Sequence, residues 1–319
     1  MDFHPVLYVI GILLCTLAAS MSLPMLADLL VGNPDWKVFF FCMIVIGFFG
    51  GALMLTNEIE RFHMTMRQTF LMTTLSWVTL AFAAATPFYF SGLSMSMTDS
   101  IFEAVSGITT TGATVITGLD FAPPGILLWR ALLQWLGGIG IIIMAMSILP
   151  FLKVGGMQLF QVELSESEKA LPRIATMASL IGIIYVGLTI ACIILLKICG
   201  MTGFDALAHA LTAISTGGFS THDASIGHFN KTSIETVCII FMILGCLPFI
   251  LYVKALKGNW AAMFNDSQVR AFLSIVTIAI ITMIVYLIMN DHESFDLALR
   301  RATFNVISII TGTGFTNGD

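Results

Sequence analysis

An all-α integral membrane fold is predicted by three observations: the composition, the length of the apolar runs, and a unit that recurs along the chain. Of 319 residues, 57% are hydrophobic and 10% are charged, and the mean hydropathy is +0.95. Soluble domains carry about 25% charged residues. A soluble fold of this size could not hide so much apolar surface beneath its own polar exterior. A soluble enzyme, a nucleic-acid binder and a disordered chain are thereby excluded. The net charge of -5 is spread along the chain, and Lys and Arg form no basic block, so no polyanionic partner is implied. Cys15, Cys42, Cys192, Cys199, Cys238 and Cys246 lie in apolar stretches without C-x-x-C spacing and read as small buried hydrophobes. The start, Met1-Asp2-Phe3-His4-Pro5, lacks the positive region of a cleaved leader, so the first apolar run is expected to remain as a membrane helix.

A spanning helix needs about 20 mostly apolar residues. Such runs occur near 6–32, 36–55, 66–92, 124–150, 173–200, 232–257 and 267–290. Pro24 and Asp28 interrupt the first, which places its end near the interface. Three shorter helix-like segments, 98–108, 204–214 and about 295–310, each follow a long run and end in a Thr/Gly tract. A short helix that enters and does not leave is re-entrant. With alternating loops, Arg61, Arg67, Lys153, Lys169, Arg173, Lys254, Lys257 and Arg270 share one side. Lys37, Arg130, Lys197, Lys231, Arg300 and Arg301 share the other. The larger group marks the cytoplasmic side, with the N-terminus, so the short helices enter from outside. The outer side also holds Asp99, Asp120, Asp205, Asp223, Asp291, Glu293 and Asp296, either a cation-concentrating mouth or an ordinary wet surface.

The recurring unit is long span, short helix, Thr/Gly tract, long span, and it implies a helix pair at 1–62 followed by units at 63–156, 157–258 and, incomplete, 259–319. The tracts read Ile108-Thr109-Thr110-Thr111-Gly112-Ala113-Thr114, Ala213-Ile214-Ser215-Thr216-Gly217-Gly218-Phe219 and Ile310-Thr311-Gly312-Thr313-Gly314-Phe315-Thr316. They align without gaps on Thr111-Gly112, Thr216-Gly217 and Thr313-Gly314, with Phe102, Leu207 and Phe304 ten residues before the glycine.

A dehydrated cation in a bilayer needs oxygen ligands in place of its water, and a row of backbone carbonyls supplies them. Such a row needs backbone angles that glycine adopts without steric cost. Threonine adds a hydroxyl, and the short helix aims its negative end at the cavity. The candidate ligands are Thr110, Thr111 and Gly112, then Ser215, Thr216 and Gly217, then Gly312, Thr313 and Gly314. Any single tract reads equally well as a helix cap; three aligned tracts do not.

Span, pore helix, filter and span together form the potassium-channel pore module. The strings Ser106-Gly107-Ile108-Thr109-Thr110-Thr111-Gly112-Ala113-Thr114 and Leu132-Leu133-Gln134-Trp135-Leu136-Gly137-Gly138-Ile139-Gly140 resemble the first repeat of the Trk/Ktr/HKT superfamily. Val154-Gly155-Gly156-Met157-Gln158-Leu159 and Ser215-Thr216-Gly217-Gly218-Phe219-Ser220-Thr221-His222-Asp223 resemble its TrkH branch. The resemblance implies potassium-channel-like repeats around a pseudo-fourfold pore, with two extra N-terminal transmembrane helices. It further implies potassium uptake across the bacterial inner membrane, a homodimer, and a cytoplasmic nucleotide-binding RCK-type regulatory subunit. Glycine at 112, where a serine in plant relatives goes with sodium preference, implies potassium preference. Against the family pattern the chain ends after the third filter, without the inner span of repeat three and all of repeat four, and reads as a truncated product or fragment.

Glu103, His209 and Asn305 are assigned to supporting the filter from behind, with direct cation contact as the other reading for Glu103. His209 and His222 suggest a metal pair, but no third or fourth ligand is evident. Ser220, His222 and Asp223 lack the spacing of a catalytic triad and read as an outer loop. Arg130 reads as a side chain reaching the outer interface, and Gly137, Gly138 and Gly140 as a close helix contact. A cation-coupled symporter is the alternative function; it wants titratable groups at the midplane, and the sequence offers few beyond Glu103, His209 and Glu235. A membrane-embedded enzyme would need a paired nucleophile and base, and none is apparent. No cofactor beyond the transported ion is implied.

Overall fold

The computed structural model describes residues 3–58, 65–152, 170–290, 292 and 294–318, all of them helix or loop. Arg61, Lys153, Lys169, Asp291, Glu293 and the string 154–159 lie outside the described residues. The leading helices are α1 (His4–Ser20), α2 (Ser22–Val31) and α3 (Trp36–Thr56). The first repeated unit supplies α4 (Met66–Phe90), α5 (Met97–Ile108) and α6 (Pro124–Leu152). The second supplies α7 (Ala170–Ile198), α8 (Gly203–Ile214), α9 (Thr232–Cys246) and α10 (Phe249–Leu256). Then come α11 (Ala261–Asn265), α12 (Ser267–Asn290) and α13 (Phe295–Ile310).

Among the described residues, six helices, or helix pairs in near-line, are long and apolar enough to cross a bilayer: His4–Val31, Trp36–Thr56, Met66–Phe90, Pro124–Ile142, Thr176–Ile198 and Ser267–Asn290. The seventh expected span, 232–257, is instead two helices bent by 91° at a short break. The cause is local. Pro248 has no N–H to donate and pushes Leu247 out of the helical region, to φ -70° and ψ 147°.

Asp28 lies in the last turn of α2, where the first span ends. It is fully buried, and its Oδ1 accepts from the Gly125 N–H at 2.6 Å, capping the start of α6. The leading helices are thus tied to the first unit, and Phe39 meets Trp129 edge-on at 6.1 Å in the shared core. A second core joins α7, α8, α9 and α13 around Tyr185, Cys192, Cys238 and Phe304. Cys42, Cys192 and Cys238 are buried as expected; Cys246 is exposed, because the break after α9 opens there.

The short helices occupy Met97–Ile108, Gly203–Ile214 and Phe295–Ile310, close to their expected bounds. Two are started by the same device: the Ser96 hydroxyl accepts from Asp99 N, and the Thr202 hydroxyl from Asp205 N, each at 3.1 Å. At their other ends, two long helices come very close. A side chain at Gly137 of α6 would overlap the Ile108 carbonyl, and one at Gly245 of α9 would press on the Ile214 carbonyl. Only hydrogen fits at these crossings. We expect Gly137→Val to displace the root of the first tract at a cost of about 1–3 kcal/mol, read as a lowered melting temperature of the detergent-solubilised protein. Gly140→Val, where a side chain would meet open space, should leave it unchanged.

Candidate functional site

Each short helix ends in the same backbone pattern. Two residues past its last helical residue, φ is positive: 57° at Thr110, 50° at Thr216 and 76° at Gly312. Four residues past it, φ is positive again: 80° at Gly112, 77° at Gly218 and 87° at Gly314. The hydrogen bonds keep step, with Thr111 N donating to Ser106 O, Gly217 N to Thr212 O and Thr313 N to Ser308 O, each at 2.9 Å. This corrects the expected register of the second tract by one residue. Gly218, not Gly217, is the counterpart of Gly112 and Gly314, because it carries the left-handed backbone. Gly217 stands with Thr111 and Thr313. The apolar marker ten residues before the glycine then fails in the second unit, where Ala208 replaces Leu207. Threonine at positive φ is a steric outlier for a β-branched residue. Holding Thr110 and Thr216 there costs on the order of 1–3 kcal/mol each, which the surrounding packing must offset.

The tracts meet. A side chain at Gly112 would overlap the Gly217 carbonyl and lie 3.6 Å from the Thr313 carbonyl; one at Gly218 would overlap the Thr313 carbonyl. Main chain from all three units therefore converges on one place. Beside it lies a cavity of about 450 Å³ bounded by Thr110, Ser215 and Thr216 and by the α6 and α9–α10 helices. The Gly217 carbonyl accepts from Gln134 Nε2 at 2.6 Å, so one of its lone pairs is already taken. The same amide accepts from Phe219 N at 3.0 Å.

The corrected register brings Glu103, His209 and Asn305 to one structural position, each nine residues before its glycine. All three reach the strand of chain that leaves the tract. Glu103 Oε1 accepts from the Thr114 hydroxyl at 2.9 Å, and Oε2 accepts from Val115 N at 3.0 Å. His209 Nε2 lies 2.9 Å from the Ser220 hydroxyl while Nδ1 lies 2.8 Å from the Asp205 carbonyl. A carbonyl only accepts, so the proton sits on Nδ1 and Nε2 accepts from Ser220. Asn305 Nδ2 donates to Asn317 Oδ1 at 3.0 Å. His209 and His222 do not form a metal pair, since Ser220 takes the free nitrogen of His209.

Arg130 is not at the interface. It is 1% exposed, its Nε donates to Glu103 Oε1 at 2.7 Å, its Nη1 to the Ser220 carbonyl at 2.8 Å, and its guanidinium lies 4.0 Å over the Phe219 ring. A buried guanidinium must find acceptors, and the fully buried Glu103 is nearest. Arg130 and Gln134 thus lash the first unit to the second. A lone amide in the apolar run 132–136 and an arginine at the head of a span were the signals available for them. Glu235 is bound likewise: Arg300 Nη2 and Nε donate to its two oxygens at 2.6 and 2.9 Å, and Asn317 Nδ2 at 3.2 Å.

Beyond the tracts, the loops interlock. Asp223 accepts from Gly118 N and Leu119 N, each at 3.1 Å, and its own N–H donates to Asp120 Oδ2 at 3.3 Å. His222, hydrogen-bonded to Asp120, holds that carboxyl below the usual carboxylate range. We expect Glu103→Ala to leave Arg130 as an unpaired buried charge and to destabilise the protein by about 3–5 kcal/mol. The double variant Glu103→Gln/Arg130→Gln should recover much of that loss in a thermal-unfolding double-mutant cycle; an additive outcome would mean that the pair is not coupled.

Known proteins share the sequence and the overall fold of this chain. The sequence matches the family model of the cation transport protein TrkH over residues 36–317. It is 36% identical to the Trk system potassium uptake protein TrkI of Halomonas elongata, over 99% of this chain and 64% of that one. It is 38% identical to the Trk system potassium uptake protein TrkH of Salmonella typhimurium, over 99% of this chain and 67% of that one. The crystal structure of the potassium transporter TrkH from Vibrio parahaemolyticus superposes with a TM-score of 0.91 at 35% identity, covering 99% of this chain and 66% of that one. The chain thus spans about two thirds of the length of these relatives. With the family model matched over most of its length and the fold shared, the chain belongs to the TrkH family of cation transport proteins.

Proposed function

We propose that this chain supplies three of the four pore repeats of a potassium uptake protein, acting in a multi-pass assembly of the bacterial inner membrane with its N-terminus in the cytoplasm. The units are those bounded at 63–156, 157–258 and 259–319, behind the helix pair 1–62. The observation that carries the reading is the convergence of three tracts with one backbone pattern at Gly112, Gly218 and Gly314. Their carbonyls and threonine hydroxyls stand in for the hydration shell of a potassium ion. Thr110, Thr111 and Gly112, Thr216, Gly217 and Gly218, and Gly312, Thr313 and Gly314 are the ligand-bearing residues, and the corrected register leaves Ser215, level with Thr109, outside the set. The Gly217 carbonyl, which faces Gly112, also accepts from Gln134. Glu103, His209 and Asn305 brace the outgoing chain. In this reading the protein is a transporter and not an enzyme, and potassium is its cargo.

Permeation through a filter, gated by a cytoplasmic RCK-type nucleotide-binding subunit and in a homodimer, is preferred over coupled symport. Coupling to protons needs titratable groups free to change state. The three that the sequence offered are committed: Glu103 to Arg130, His209 to Ser220 and the Asp205 carbonyl, and Glu235 to Arg300.

Two measurements test the proposal. Expressed as the full-length gene, the protein should restore growth of a potassium-uptake-deficient strain at limiting potassium, and labelled potassium flux should not depend on a sodium or proton gradient. Strict dependence on either gradient would favour the symporter. In the same protein, Gly112→Ser and Gly218→Ser should each lower the preference for potassium over sodium in competitive uptake. Unchanged selectivity in both would remove these glycines from the ion path.

A further inference from the structure

We propose that Asp120, His222 and His228 form a binding site for one divalent transition-metal ion of the zinc class, bridging the loops that follow the first and second tracts. Asp120 sits on the short 3-10 turn Leu119–Phe121, His222 on the loop after Gly218, and His228 on the 3-10 turn Ser225–Phe229. One ligand atom from each lies within 4.8 Å of the other two. His222 Nδ1 is 2.5 Å and His228 Nδ1 is 3.7 Å from the same oxygen, Asp120 Oδ1. An ion with bonds of about 2.0–2.2 Å to nitrogen and carboxylate oxygen holds its ligand atoms about 3.2–3.6 Å apart, so the His228–Asp120 separation fits and the His222–Asp120 contact must open by roughly 1 Å to admit it.

The far side of His222 is the second observation. Its Nε2 is buried without a hydrogen-bond partner and faces Asp205 Oδ1 at 3.6 Å. Asp205 is itself held by the hydroxyls of Thr202 and Thr221, each at 2.7 Å. A metal-bound histidine commonly turns its other N–H toward a carboxylate; His222 Nδ1 donates to Asp120 here, so an ion would displace that proton, with Asp205 placed to accept an N–H at Nε2. The imidazoles of His222 and His228 are stacked, with centroids 3.5 Å apart and planes 3° apart, so one ring must tilt for both in-plane lone pairs to reach one ion; exposed His228 is the ring with room to do so. Asp223 stays outside the donor set, since it caps the turn that carries Asp120. Two imidazoles and one carboxylate select zinc, nickel, cobalt or copper over potassium and magnesium, which favour all-oxygen shells. The site is separate from the convergent glycines and does not depend on the ion that passes them.

The test is a zinc chloride titration of the purified chain in detergent, in competition with a chromophoric chelator. One zinc ion per chain is expected. His228→Ala and Asp120→Asn should each weaken binding by about tenfold or more, while His4→Ala, at the start of α1, should bind as the parent does. A melting temperature that rises with zinc in the parent but not in His228→Ala would support the site; His228 is exposed, so that variant should fold. Binding unaltered in both variants, or no saturable binding in the parent, would overturn it and leave the cluster as a hydrogen-bonded loop contact.

Discussion

Irregular backbone at membrane depth has to satisfy its own polar groups, and the architecture follows from that constraint. Each short helix stops inside the protein and hands the chain to a tract that is not helical. The first N–H groups past the helix turn back on its last carbonyls, as Thr111 does to Ser106 and Thr313 to Ser308. The chain leaving each tract is then held by side chains. Glu103, His209 and Asn305 do so from equivalent places with different chemistry: a carboxylate, an imidazole and an amide. A common backbone geometry is thus braced by three unlike groups, which is how repeated units diverge while keeping one shape.

Holding such tracts has consequences for the long helices. The carbonyl at the end of a short helix can be approached closely only by a helix with no side chain there, and Gly137 and Gly245 meet that need in successive units. The ion pairs solve a different problem, the joining of successive units. Arg130 lies between Glu103 of its own unit and the Ser220 carbonyl of the next, and Arg300 reaches back to Glu235. Burying Arg130, Glu103 and Glu235 is costly, while Arg300 keeps part of its side chain exposed, and in each pair the opposite charge offsets part of the cost.

Much of the fold could be read from the residues. The spans and the three short helices lie near their expected places because apolar run length is a local signal. The bend after α9 was missed although Pro248 is visible, since hydropathy averages across a proline. The register of the second tract was set wrongly because Gly217 and Gly218 are adjacent, and sequence offers no measure of φ to choose between them. A local reading puts Arg130 at the interface because its partner, 27 residues away, is invisible to it.

The sequence by itself determined that the chain enters a membrane, how many times it crosses to within one broken span, and that one unit recurs. These are properties of composition and period, and each residue contributes to them alone. The tertiary structure decided which glycine occupies the left-handed position, which buried charges pair, and that Asp120, His222 and His228 meet. Those facts are distances between groups far apart in the chain, and a distance exists only once the helices have packed.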